Sequence, residues 1–281
     1  MHKLKVSFSG GRTSALMAYL IKTHWSHLYE TQFVFANTSF EHPDTLRFVH
    51  AVDQAFDLNL VWLEAVPSHG QRKASGHRVV TFETAARDGE VFRDVVAKYG
   101  LPNQTYQLCS RELKLNAMKS YMKSIGWEDY WTAIGIRIDE PKRILPTARA
   151  QKIMYPLIST WPHDKQDVLD FFEVFDWNLK IPEHLGNCRA CFKKSDRKLA
   201  AVYRDDPGAF DVIKGMELDF SHVGSNNLPG PRRVFRLQRT SSDLLRSFDL
   251  AGGHFLPYED APGSCSESCE AYQNDFAMEA A

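Results

Sequence analysis

Short apolar runs alternate along this chain with longer stretches in which apolar residues recur every three or four positions. Val6 and Phe8 mark a first buried strand, and the run from Ala15 to Ile21 reads as an apolar-striped helix. Residues 31–36 (TQFVFA) read as a second buried strand. Leu46, Phe48, Val49, Val52 and Phe56 then keep helical spacing behind Pro43 and Asp44, a proline suited to a first helical turn and an acid that complements the helix dipole. Residues 59–64 (NLVWLE), 130–136 (YWTAIGI) and 153–158 (IMYPLI) supply three further strands, the last followed by a helix through DVLDFFEVF. Strands alternating with helices predict an α/β fold with a parallel five-stranded sheet flanked by helices.

The pattern weakens between residues 65 and 105, where SHGQRKASGHR reads as a basic surface loop and residues 81–99 as a helix stopped by Gly100 and Pro102. A helix through Met118, Tyr121, Met122 and Ile125 follows Cys109 and closes at Gly126. Beyond Pro207 the regular alternation is lost, although Ser241-Ser242-Asp243 suits the start of a helix through Leu244, Leu245 and Phe248. The expected division is therefore 1–180 as the α/β domain and 181–281 as a smaller, cysteine-containing helical and irregular region.

Composition narrows the classes. A chain of 281 residues with 43% hydrophobic and 25% charged residues is an ordinary globular protein with a full core. The formal net charge of −1 makes no general case for nucleic-acid binding. MHKLKVSFSGG has no signal-peptide apolar region, and no apolar run reaches membrane-spanning length. Five cysteines, an odd number, then point to thiol or metal chemistry in a reducing compartment, with the cytoplasm as the expected location.

The candidate chemistry begins at Ser9-Gly10-Gly11-Arg12-Thr13-Ser14, between the first strand and the first helix. A glycine turn there aims backbone N–H groups and the positive end of a helix dipole at an anion. Ser9, Thr13 and Ser14 add hydroxyls and Arg12 a charge; the competing reading is a structural turn with a capping Ser or Thr. The spacing matches neither GxxxxGK[ST] nor GxGxxG. Arg137 and Arg143 follow Gly135 at a strand end, with Asp139 and Glu140 placed to orient them or to hold a metal. Cys109, beside Arg111 and Lys114 at a helix start, would have its thiolate stabilised, or would be a buried structural cysteine. Cys188 and Cys191 form a CxxC pair, and Cys265 and Cys269 lie in the tail. Lys193, Lys194, Arg197 and Lys198 beyond the CxxC read as a solvated helix face.

SGGRTS after an amino-terminal strand resembles the pyrophosphate-binding loop (PP-loop, SGGxxS) of the adenine-nucleotide α-hydrolase-like superfamily. Within it the chain resembles the phosphoadenosine phosphosulfate (PAPS) reductase family, as a divergent member similar to phage- and island-borne proteins. ANTSFEHPDT is similar to that family's NTG…PET turn, with Ser39 for glycine and Asp44 for glutamate. CSRELK, GIRIDEPKR and the segment from Pro156 through Trp161 to DV match further family elements, over roughly the first two-thirds of the chain. The resemblance implies a Rossmann-like, HUP-type fold. It also implies ATP or PAPS as ligand, bound near Ser9–Ser14, Asn37, Thr38, Gly135, Asp139 and Glu140, with Mg²⁺ on the phosphates.

For the cysteines three outcomes stand open. One is a [4Fe–4S] cluster on Cys109, Cys188 and Cys191 with a tail cysteine or an open site. The others are a zinc site on Cys188, Cys191, Cys265 and Cys269, and unligated thiols. Assimilatory reductases carry ECGxH near the carboxyl end; this chain has GSCSESCEAY, where Cys265 or Cys269 would have to serve as the nucleophile. ATP-dependent adenylation and sulfur transfer to an acceptor, including a nucleic acid, is therefore ranked above PAPS reduction to sulfite. In either chemistry Arg137 and Arg143 would neutralise charge at the reacting centre and Cys109 would be a reactive thiol. Expected partners are the nucleotide and a nucleic acid or sulfur-donor protein, with no membrane. A non-catalytic nucleotide- or nucleic-acid-binding module is the third reading, kept open by SGGRTS in place of SGGKDS.

Overall fold

The computed structural model describes residues 1–69, 73–103, 106–223, 234–236 and 238–251. Strand β1 (His2–Phe8) is central, with Leu4, Val6 and Phe8 buried on one face, and leads through the glycine turn into α1 (Arg12–Trp25). β2 (Tyr29–Asn37), α2 (Pro43–Phe56) and β3 (Val61–Val66) extend the sheet to one side. β5 (Trp131–Ile134) and β6 (Ile153–Met154) extend it to the other. With the edge strand β4 (Gly76–Val80), the order is β4-β3-β2-β1-β5-β6. The pairs β1–β2, β1–β5, β2–β3 and β5–β6 are parallel. Strand order reverses between β1 and β5, and open α/β sheets bind ligands at the carboxyl ends of strands flanking such a switch.

The Rossmann-like α/β architecture stands as expected, but the described sheet has six strands, not five, and is mixed. β4 lies within the stretch read as a loop and pairs antiparallel with β3. Its register puts Arg78 opposite Glu64, and the guanidinium reaches that wholly buried carboxylate at 2.6 Å. One face of β4 is therefore charged and the other exposes Val79, so it carries no apolar signature.

The helix expected over 81–99 is confined to α3 (Glu90–Tyr99). Asp88 and Gly89 both adopt positive φ, 59° and 86°, which an α-helix does not tolerate, so the chain turns before the helix starts. The strand expected over 153–158 ends at Met154, because Pro156 opens the short helix α5 (Pro156–Ser159) instead. Helix α6 (Lys165–Glu173) begins on a capping box made by Asp164 and Asp167. A π-helical segment (Ser110–Leu115) runs straight into α4 (Asn116–Ser124).

Helices α7 (Asp196–Asp205), α8 (Gly208–Phe220) and α9 (Ser241–Leu250) follow the CxxC segment. They do not form a separate core. Leu199, Phe210, Met216, Leu244 and Phe248 pack in one apolar cluster with Phe40, Val91, Val95, Leu108 and Leu113 from the first half of the chain. The basic residues after the CxxC are not a solvated face either: Lys194 and Lys198 are buried, Lys198 paired with Glu183 at 2.9 Å.

Candidate nucleotide site

The loop 9–14 is shaped by two close approaches. Gly10 has φ +87°, and a Cβ there would meet Thr45 Cγ2 at 3.0 Å with Phe35 and Val49 behind it. Gly135, just past the end of β5, lies so close to α1 that a Cβ would stand 3.0 Å from Ser14 Cα and 3.2 Å from Ser14 N. β1 and β5 thus clamp the first turn of α1 at the switch point. The N-cap of α1 is Gly11, with no side chain capping the helix, and the first backbone bond runs from Ala15 N–H to Gly11 C=O at 3.1 Å. The reading of Ser or Thr as a capping residue is thereby corrected. An uncapped helix start of this length presents its amides and the positive dipole end to an anion.

The two serines hold the loop closed. Ser9 N–H donates to Ser14 Oγ at 3.1 Å, the two hydroxyls share a hydrogen bond of 3.0 Å, and Ser14 Oγ donates to Gly11 C=O at 2.9 Å. Arg12 takes another direction. Its Nε donates to Asn178 Oδ1 at 2.7 Å and its Nη2 to Leu179 C=O, so it ties α1 to the segment after α6. The cation that reaches the loop is Arg137, from the end of β5. Its Nη1 donates to Thr13 Oγ1 at 3.1 Å, while Nε and Nη2 hold Asp139 in a fork of 2.8 and 3.0 Å. Arg137 is buried, and its hydrogen bonds hold the Asp139 carboxyl below the usual aspartate range. Glu140 accepts from the Arg137 backbone N–H at 3.2 Å and pairs with Arg143, so Arg137, Asp139, Glu140 and Arg143 form one network beside Thr13.

At the end of β2, next to β1, Asn37 and Thr38 are fully buried. Asn37 Nδ2 donates to Glu64 Oε1 at 2.7 Å and to Ala86 C=O at 2.8 Å, which locks β2 to β3. Thr38 Oγ1 donates to Glu41 Oε1 at 2.7 Å and lies 3.6 Å from Cys188 Sγ. Ser39, where glycine was the expected residue, has φ 63°; its hydroxyl accepts from Val91 N–H at 2.9 Å, a tie to α3 that glycine could not make. Glu41, which the sequence did not single out, is buried; burial pushes its carboxyl up and the charge of Lys114 opposes that shift. Thr45 was missed as well. Its hydroxyl is buried beside Gly10 without a hydrogen-bond partner among the described residues.

The described cysteines surround this edge without converging. Cys109 precedes the π-helical segment and packs, with Cys188, on the apolar cluster that includes Phe40. Arg111 beside it pairs with Glu112 at 3.0 Å. Among the described residues no three His, Cys, Asp or Glu side chains gather as a metal site, so Cys109, Cys188 and Cys191 do not by themselves build the expected cluster site. Cys265 and Cys269 lie outside the described residues.

The glycine clamp, uncapped helix and strand-end arginine occupy the segment over which the chain matches a phosphoadenosine phosphosulfate reductase domain model, residues 3–180. The chain belongs to that family. Among curated proteins this family member is similar to the uncharacterized nin region protein ORF290 of Escherichia phage lambda, 34% identical over 98% of this chain and 99% of that protein. It is also similar to an uncharacterized protein of Methanocaldococcus jannaschii, 24% identical over 63% of this chain and 34% of that one. No solved structure matches this family member. Among its described residues no helix is long and apolar enough to cross a membrane.

Proposed function

We propose that this PAPS reductase-family chain is a cytoplasmic enzyme that binds ATP with its phosphates on the loop 9–14 and transfers the adenylyl group to an acceptor oxygen. The acceptor oxygen attacks the α-phosphorus, the bond to the β-phosphate oxygen breaks, and pyrophosphate leaves. A sulfur nucleophile then displaces AMP from the acceptor. The observation that supports this reading is the buried Arg137 guanidinium held on Thr13 at the uncapped start of α1, where charge on a leaving pyrophosphate would develop. Asp139 and Glu140 are engaged with Arg137 and Arg143, so the step is written without a metal on them; Mg²⁺ would travel with the nucleotide's phosphates. The preference for ATP over PAPS rests on the tail sequence GSCSESCEAY, which lacks the reductase ECGxH.

The test is isotope exchange between pyrophosphate and ATP by the full chain with nucleic-acid and thiol acceptors. Acceptor-dependent exchange is the expected result. Sulfite release from PAPS without exchange would replace the reading by reduction, and tight ATP binding with neither activity would make the protein a binding module.

A further inference from the structure

Lys194 is fully buried, three residues beyond the second cysteine of the CxxC pair. Its ammonium donates to the main-chain carbonyls of His184, Cys188 at 2.9 Å and Arg189 at 2.8 Å. A lysine ammonium has three N–H donors and no acceptor, so these three carbonyls match its full donor set. Burying an ammonium without such partners is strongly unfavourable. The backbone on both sides of the side chain is fixed too. Lys194 N–H donates to Cys191 C=O at 3.0 Å, and Lys194 C=O accepts from Arg236, which pairs with Asp196 at 2.9 Å.

From this geometry we infer that the CxxC loop is built around an internal cation, the Lys194 ammonium, folds without a metal ion, and presents the Cys188 thiol to the nucleotide edge of the sheet. In a metal-centred CxxC loop the thiolates converge on the ion. Here the groups that converge on the positive charge are carbonyl oxygens, including that of Cys188 itself. The Cys188 thiol is directed to Thr38 Oγ1, 3.6 Å away.

The loop is fastened at that place by contacts independent of Lys194. Cys188 forms an antiparallel bridge with Glu41, and Arg189 N–H donates to Phe40 C=O at 3.1 Å. The Arg189 guanidinium lies over the Phe40 ring, 5.2 Å from its centroid, and pairs with Asp206 at 3.3 Å. Phe40 and Glu41 belong to the turn after β2, whose carboxyl end adjoins that of β1, where the phosphate loop begins. The internal cation stands on its own geometry; the assignment of the thiol to the nucleotide edge rests on the nucleotide reading above.

The test uses the full chain, reduced and stripped with EDTA and 1,10-phenanthroline. It follows the melting temperature and the rate at which Ellman's reagent modifies Cys188, located by peptide mass spectrometry. Stripping is expected to leave both unchanged, and Lys194→Met is expected to accelerate Cys188 modification about tenfold by loosening the loop. An equal acceleration on stripping the wild-type chain, with a lowered melting temperature and released zinc or iron, would overturn the inference. So would an unchanged rate in a folded Lys194→Met variant, and if that variant does not fold, the stripping result decides. Bound ATP should slow modification of Cys188. ATP binding without protection would overturn the facing of the thiol, whereas no ATP binding would overturn the nucleotide reading and leave the cation to be judged by stripping.

Discussion

Replacing Arg137 with methionine weakens ATP binding by about two orders of magnitude, close to 3 kcal/mol. The size follows from what the guanidinium neutralises. It is buried, bonded to Thr13 at the loop, and forked onto Asp139, with Glu140 at 3.5 Å. Without it, two carboxylates face the phosphates with Arg143 as the remaining cation of the network, and attraction turns towards repulsion. Arg12→Met is the matched control. Its guanidinium is bonded to Asn178 and Leu179, so that variant should melt earlier while ATP affinity changes by less than about threefold. Calorimetric titration of both variants checks the contrast. Equal losses of affinity would put Arg12 at the phosphates, against its hydrogen bonds.

Gly135→Ala has the second largest expected effect. The added methyl meets Ser14 Cα, Ser14 N and the Thr13 carbonyl oxygen at 3.0 to 3.3 Å, and these are backbone atoms of a helix start that cannot rotate away. Relief requires α1 to move off β5 by a few tenths of an ångström, which costs about 1–3 kcal/mol of stability. The same movement carries Thr13 away from Arg137 and opens the anion cradle, so ATP affinity should fall at least about tenfold. Gly126→Ala is the control for backbone strain alone. Gly126 also has positive φ, +75°, but a Cβ there meets nothing within 4 Å, so stability should fall while ATP binding holds. Thermal melts and ATP titrations of the two variants separate the outcomes.

The parts of this arrangement legible in the sequence are those governed by local rules. An apolar strand, two glycines and a striped helix follow one another within the first 25 residues, and they fold as that pattern dictates. Pro43 opens α2 as expected, although the cap is the His42 ring accepting from Asp44 N–H. What escaped is what long-range pairing decides. β4 owes its place to Arg78 meeting Glu64 across the sheet, and no periodicity in SHGQRKASGHR announces that partner. Lys194 and Lys198 look like surface charges until three carbonyls and Glu183 are brought round them. Arg12 sits in the loop by sequence and outside it by rotamer. Its partner, Asn178, is 166 residues away. The tail cysteines fall outside the described residues, so the part of the chain that most separates reduction from adenylation is still read from its sequence.

The most direct test of the central claim is a calorimetric comparison of ATP, PAPS and adenosine binding to the wild-type full chain. If the phosphates are held by the loop 9–14 and Arg137, ATP should bind at micromolar concentration, more tightly than PAPS, and adenosine about a hundredfold more weakly than ATP. Equal affinity for ATP and adenosine, or no ATP binding at all, would contradict the account.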